Sequence, residues 1–182
     1  MLAKSLDKNI IYDNIISRTS VRSYTDQPIE EEKINLLLHA AMSAPSACNK
    51  QPWHFVVINN HKILNKIPSF SPYASMVKEA PLAIVVCGDL SKAMEGWERE
   101  FWVQDCAAAT ENILLMAHGL GLGAVWTALY PAEERYLGMQ QLLELPEDII
   151  PLNTIVIGYL KGETTPKDKW KEENVSYNRY GR

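Results

Sequence analysis

The sequence predicts an α+β or α/β sandwich, a single domain in which helices cover a central sheet. Three observations predict it. The chain has 182 residues, a one-domain length, and its 47% hydrophobic and 22% charged residues are ordinary for a globular protein. Four short apolar runs rich in β-branched residues read as strands. Segments with helical spacing separate them, and no internal repeat or low-complexity tract breaks the pattern.

Asp7 to Ser17 reads as a short helix, because Ile10, Ile11, Ile15 and Ile16 recur at helical spacing. Arg18 to Gln27 reads as extended or looped. Pro28 is expected to open a second helix, with Glu30, Glu31 and Glu32 at its positive end. Ile34, Leu37, Leu38, Ala41 and Met42 form its apolar stripe, and Pro45 ends it. Phe55-Val56-Val57-Ile58, within His54 to Asn59, is the first strand signal. His61 to Ile67 reads as a short helix, and Leu82 to Cys87 as the second strand. Trp102 to His118 is the longest helix and apolar around most of its circumference, the mark of a buried helix. Gly119, Gly121 and Gly123 stop it. Gly123 to Leu129 follows as a strand, Pro131 to Leu143 as a helix and Asn153 to Tyr159 as the last strand. Residues 161–182 are polar and aperiodic, and Trp170, Tyr177 and Tyr180 favour docking over disorder.

Several classes of function are disfavoured. The 18 Lys and Arg against 22 Asp and Glu give a formal net charge of −4, so no global basic field invites nucleic acid. The three cysteines lie far apart without a CxxC pair, which argues against a disulfide framework and a zinc site. A reduced, cytoplasmic compartment fits best. The first dozen residues lack the apolar core of a secretory signal, and the longest apolar runs fall far below a membrane span of about 20 residues. His39, His54, His61 and His118 show no metal-ligand spacing, and no GxSxG elbow occurs. Cys48 beside Lys50 is a weak candidate nucleophile, since its amide neighbours do not lower a thiol pKa as a cation does.

Four clusters carry candidate binding chemistry. Arg18-Thr19-Ser20-Val21-Arg22 puts two guanidinium forks and two hydroxyls within five residues, a set suited to phosphate oxygens or to a solvated capping turn. The loop Ala44-Pro45-Ser46-Ala47-Cys48-Asn49-Lys50-Gln51-Pro52-Trp53 offers amide donors and acceptors on a proline-braced backbone. That suits the alternating edge of a flavin or pyrimidine, or a plain helix-to-strand turn. Gly119-Leu120-Gly121-Leu122-Gly123 is no dinucleotide fingerprint, since its spacing is wrong and it follows a helix. The strand after it passes small Ala128, which lets a planar ring approach the backbone. Lys167 and Lys169 join a phosphate site if the tail folds back beside Arg18 and Arg22, and otherwise are solvated. Trp97, Phe101 and Trp102 read as core or interface anchors, or as the lining of an aromatic pocket.

From about Asp13 to Lys169 the chain resembles the nitroreductase family of flavin oxidoreductases. RTSVRSY resembles the family's RxSxRxF/Y motif, APSACNKQPW its APSxxNxQPW loop, AHGLGLGAVW its helix-GLG-strand segment, and IVIGYLKGE with PKDK its last strand and basic tail. The resemblance implies one α+β domain over residues 1–182, with a mixed or antiparallel sheet sandwiched by helices. It implies an intertwined homodimer with FMN at the interface, and a tail at 161–182 docked on the fold or the partner. By position, Arg18, Ser20 and Arg22 hold the phosphate and ribityl chain, Thr19 assists through its backbone, and Lys167 and Lys169 join at the phosphate. Pro45, Ser46, Ala47, Asn49 and Gln51 come from the other subunit and flank the ring. The backbone at Ala128 and Leu129 faces N5 and O4.

The same resemblance implies ping-pong passage of hydride from NADH or NADPH, through the flavin, to an electron-poor acceptor such as a nitroaromatic or a quinone. It calls for no acid–base side chain. Reduced-flavin fragmentation, dehalogenation or a non-catalytic flavin-binding dimer are the alternatives. Larger members have Glu-Gly where this chain has Ala128-Leu129, and a longer insert where it has Asp89 to Trp102. Their substrate class therefore does not transfer.

Overall fold

Four strands form one antiparallel sheet in the computed structural model, which describes residues 9–181. β1 (Trp53–Ile58), β2 (Leu82–Asp89), β3 (Gly123–Ala128) and β4 (Ile149–Gly158) lie in the order β1-β2-β4-β3. Every strand pair is antiparallel, so the α+β expectation holds in its antiparallel form. β2 and β4 are central and apolar on both faces because both faces are covered. Leu82, Ile84 and Val86 pack with Leu37, Trp102 and Ile113 on one side. Ala83, Val85 and Cys87 pack with Leu64, Val77 and Met139 on the other.

The helices are α1 (Ile10–Ser17), α2 (Glu31–Met42), α3 (His61–Leu64), α4 (Phe101–Gly119) and α5 (Glu133–Leu143). Asn9 caps α1, its side chain accepting from Ile11 N at 3.1 Å and Tyr12 N at 3.2 Å. Asp7, at the expected start of that helix, lies outside the described residues. α4 turns Trp102, Cys106, Ala109, Ile113 and Ala117 onto the sheet at helical spacing.

Several boundaries differ from expectation. Pro28 does not open α2: Glu30 is still extended (φ −63°, ψ 140°), its carboxylate accepting from the Tyr159 hydroxyl, and the helix begins at Glu31. Pro131 likewise precedes α5 by two residues. β4 starts at Ile149, four residues before the predicted strand. Pro151 lies inside the strand, opposite Cys87 and beside the register shift between Val86 and Cys87, where a proline is tolerated. Short 3-10 helices at Ile67–Ser69, Pro72–Lys78 and Gly96–Glu100 carry no sequence period long enough to predict. Gly88 is needed because Trp102 lies over it: an added Cβ would clash with the indole ring.

Two segments pack little on their own fold. α1 buries none of its residues, leaving Ile10 84% and Ile11 72% exposed. Residues 161–181 are exposed throughout, including Trp170, Tyr177 and Tyr180. The tail therefore does not cover the core of its own chain.

Candidate functional site

The segment after α1 runs along the free edge of β3. Ser20 bridges Ala124 in parallel, and Val21 N–H donates to the Ala124 carbonyl at 3.0 Å. Gly123 allows this approach, since a Cβ there would meet Val21 at 2.6 Å. Further along, Tyr24 bridges Leu160, and its buried hydroxyl donates to the Val156 carbonyl at 3.1 Å. Burial pushes that phenol well above the usual tyrosine range. The first and third sequence clusters are thus brought together.

Arg18 caps the C-terminal end of α1, where its Nε lies 3.7 Å from Glu111 of α4. Arg22 and Ser20 are exposed and Thr19 is half-buried. A narrow cleft of about 30 Å³ beside Arg18 and Thr19 is lined also by His118, Leu160 and Thr164. The tail therefore enters this region at Thr164, while Lys167 and Lys169 lie beyond it, exposed.

His118 faces Ser17, with Nε2 2.8 Å from the hydroxyl. Burial, and then the Arg18 charge, lowers its pKa from 6.5. Above 6.5 folded and unfolded chains are both neutral there. Below it the unfolded chain takes up the proton first, so stability falls as the pH drops. A His118→Gln variant is expected to lose less stability than the parent between 6.5 and about 5. Matched urea unfolding series would show this, and identical pH slopes would refute it.

β3 is an edge strand, so alternate backbone groups face away from β4. The Val21 bond identifies Ala124 as outward-facing. By the same alternation Trp126 and Ala128 also direct N–H and C=O outward. Ala128 is exposed and small. Leu129 differs: its N–H donates to Leu152 O at 3.0 Å, its carbonyl accepts from Ala132 N at 2.9 Å, and its side chain is buried. Ala128 stands about 13 Å along the strand from Ala124, at 3.3 Å per residue. Cationic side chains thus mark one end of an open edge and a free backbone donor the other.

The loop from Pro45 to Pro52 lies at the opposite edge of the sheet. It leads into β1, three strand intervals or about 14 Å from β3. Trp53 pairs with Gly88, and Gly88 with Ile150, so the loop shares the Ala128 end of the sheet. Cys48, Asn49 and Gln51 have left-handed φ of 47°, 53° and 51°. Such strain in non-glycine residues clusters at functional sites. Ser46 Oγ accepts from Gln51 N at 2.9 Å, and Gln51 Nε2 donates to Asn49 Oδ1 at 3.2 Å. Pro45, Asn49 and Gln51 are exposed, and Ser46 and Ala47 half-buried.

The sequence reading missed Asp105. Its Oδ1 accepts from Ala47 N at 2.9 Å. Burial pushes its carboxyl above the usual range, and the Ala47 bond pulls it back. The available signal was a lone carboxylate on the apolar stripe between Trp102 and Ala109. Asn153 was also missed: fully buried in register with Ala128, it donates to Thr110 Oγ1 at 2.9 Å, and its Oδ1 has no partner. Trp102 proves to be core at 3% exposure, Phe101 is half-buried and Trp97 is 80% exposed. Among the described residues no group of three or more His, Cys, Asp or Glu is placed to hold a metal. Among the same residues no helix is long and apolar enough to cross a membrane.

The Nitroreductase family profile matches residues 15–73 and 69–159. A Methanothermobacter thermautotrophicus protein named "Putative NADH dehydrogenase/NAD(P)H nitroreductase" is 44% identical over 171 residues, covering 93% of this chain and 87% of that one. The crystal structure of a Parabacteroides distasonis protein of the same name is 42% identical and superposes with a TM-score of 0.91, over 95% of this chain and all of that one. An FMN-dependent nitroreductase from Clostridium difficile is 27% identical with a TM-score of 0.85, over 93% and 99% of the two chains. A profile match over most of the chain, a relative at this identity and the shared fold agree: the chain belongs to the nitroreductase family.

Proposed function

We propose that this chain is an NAD(P)H-dependent flavin oxidoreductase that holds FMN along the open edge of β3. The observation that carries the reading is that edge itself, with arginines near Ala124 and an outward backbone N–H at Ala128. The donor set fits the cofactor. Arg18 and Arg22 complement a phosphate of about −1.5 to −2 charge, and Ser20 and Thr19 add hydroxyl and backbone donors. Ala128 N–H suits the N5 side of the ring, whereas Leu129, buried in the core and with its backbone already engaged, offers the ring no free group. Bound FMN supplies hydride acceptance and release at N5.

These residues anchor and aim the cofactor. The arginines hold the phosphate end and leave the electronics of the ring to other groups. Ala128 donates where negative charge grows on reduction. Its small methyl side chain would leave the ring face open to a nicotinamide and then to an electron-poor acceptor, which use the same space in turn. Nitroaromatics and quinones have the required chemistry. Their shared space calls for ping-pong kinetics, with parallel lines when donor and acceptor are varied.

The complete site needs a second copy. The loop at 45–51 and the Ala128 edge lie on opposite sides of one sheet, so Pro45, Ser46, Ala47, Asn49 and Gln51 reach a flavin held by another chain. The bare isoleucines of α1 and the uncovered tail at 161–181 are surfaces such a homodimer would bury. The tail would also bring Lys167 and Lys169 toward the phosphate. Three free cysteines and a nicotinamide donor support a reducing, cytoplasmic setting for the enzyme.

Anaerobic titration of the FMN-loaded protein with NADH and with NADPH tests this. Bleaching of the flavin absorbance by either nicotinamide is expected. Bound FMN that neither donor reduces would point to related flavin chemistry such as fragmentation or dehalogenation. A protein that stays colourless after incubation with FMN would overturn the cofactor and the reaction together.

A further inference from the structure

The loop between Pro45 and Pro52 is gripped by two consecutive residues of α4. Asp105 Oδ1 takes the Ala47 N–H at 2.9 Å. Cys106 Sγ lies 3.6 Å from the Pro52 carbonyl and 3.5 Å from the Cys87 carbonyl. Burial keeps the Cys106 thiol protonated, so it remains a donor, though a weak one. Between these grips the backbone adopts three left-handed φ values, at Cys48, Asn49 and Gln51. L-residues hold that conformation only where their surroundings fix it.

At the loop's end Asp89 N–H donates to the Pro52 carbonyl at 2.9 Å, and the remaining hydrogen bonds of the loop are internal. Asn49 N reaches Ser46 O at 3.0 Å, Lys50 N reaches Ala47 O at 2.9 Å, and Gln51 N reaches Ser46 Oγ at 2.9 Å. Among the described residues, the Asp105 bond is the one hydrogen bond that reaches residues 46–51 from outside them. Asp105 itself is 7% exposed and rides on a helix docked by its Trp102, Cys106 and Ala109 contacts. A charge-assisted bond from such a rigid base is strong and directional.

We propose that Asp105 is a positioning residue for the cofactor: through the Ala47 N–H it sets the loop conformation that aims Ser46, Asn49 and Gln51 at the flavin. This rests on the reading of the loop as a flavin contact. The device also accounts for a carboxylate inside an otherwise apolar stripe, a place where an unpaired acid is costly. Asp105 needs no contact with the ring.

Asp105→Ala, Asp105→Leu and Asp105→Asn would be compared with the parent in two measurements. The first is amide hydrogen exchange across residues 44–53 in FMN-free protein. The second is FMN affinity by flavin fluorescence titration. The alanine variant removes the acceptor, and the leucine variant does so while filling the space should alanine unfold the chain. Both are expected to speed exchange at Ala47 and to weaken FMN binding by roughly tenfold, the scale of one charge-assisted bond. The asparagine variant keeps an acceptor oxygen and is expected to stay within about threefold of the parent in both readouts.

Loop exchange and FMN affinity unchanged in the leucine variant would overturn the proposal. So would faster exchange without weaker binding, or an asparagine variant as impaired as leucine. A parent protein that binds no FMN would instead overturn the flavin reading, and the exchange comparison would still decide whether Asp105 holds the loop.

Discussion

The double variant Arg18→Ala/Arg22→Ala is expected to bind FMN on the order of 10² to 10⁴ times more weakly than the parent. Each guanidinium lost from a phosphate removes a charge-assisted interaction of about 1.5–3 kcal/mol, and two such losses span that range. The fold should survive the change. Arg22 is exposed, and the Arg18–Glu111 contact is a single 3.7 Å approach to a carboxylate with 49% of its side chain accessible. A pair of that kind contributes at most about 1 kcal/mol. Fluorescence titration of flavin into the FMN-free variant gives the affinity, and urea unfolding without FMN confirms the fold. Arg18→Lys should recover only part of the loss, since a point charge replaces a bidentate fork. FMN affinity within about threefold of the parent for the double variant would remove Arg18 and Arg22 from the site.

Trp102→Ala is expected to cost about 3–5 kcal/mol of folding stability, the scale for truncating a buried tryptophan. The ring is 3% exposed, covers Gly88 and packs edge-on against Tyr130 at 5.0 Å between centroids. Removing it opens a cavity where α4 meets β2, and the backbone at Gly88 has no side chain to fill it. Trp97 is the control. At 80% exposure it should cost no more than about 0.5 kcal/mol when replaced by alanine. Both should be measured by urea unfolding in the absence of FMN, because a bound ligand adds its own stabilisation. A cost below about 1 kcal/mol for Trp102→Ala would show that the ring is not a core anchor.

These two tryptophans show where sequence reading stops. Trp97, Phe101 and Trp102 lie together in the chain and share one chemistry. What separates them is that α4 begins at Phe101 and turns Trp102 onto the sheet, while Trp97 stays on the preceding turn in solvent. The strands were legible because apolar runs of strand length report burial on both faces. Pro151 hid the start of β4, since the register shift that accommodates it belongs to the pairing of two strands far apart in sequence. Asp105 was hidden for a similar reason. Its partner is a backbone N–H 58 positions away, and backbone groups leave no trace in a residue pattern.

Sequence alone determined the class of the fold, four strands spaced by helices, and the family, carried by RTSVRSY and APSACNKQPW. Both depend on local signals: hydrophobic period, turn residues and contiguous side chains that need no partner to be recognised. Tertiary structure decided which groups are free to act. It left the Ala128 edge open and consumed the Leu129 backbone. It set the 45–51 loop at the far edge of the sheet and bound that loop to Asp105. The reason is physical: hydrogen bonds and strand edges are pairwise properties, settled only when distant segments meet and one of them takes the donor or acceptor that the other offers.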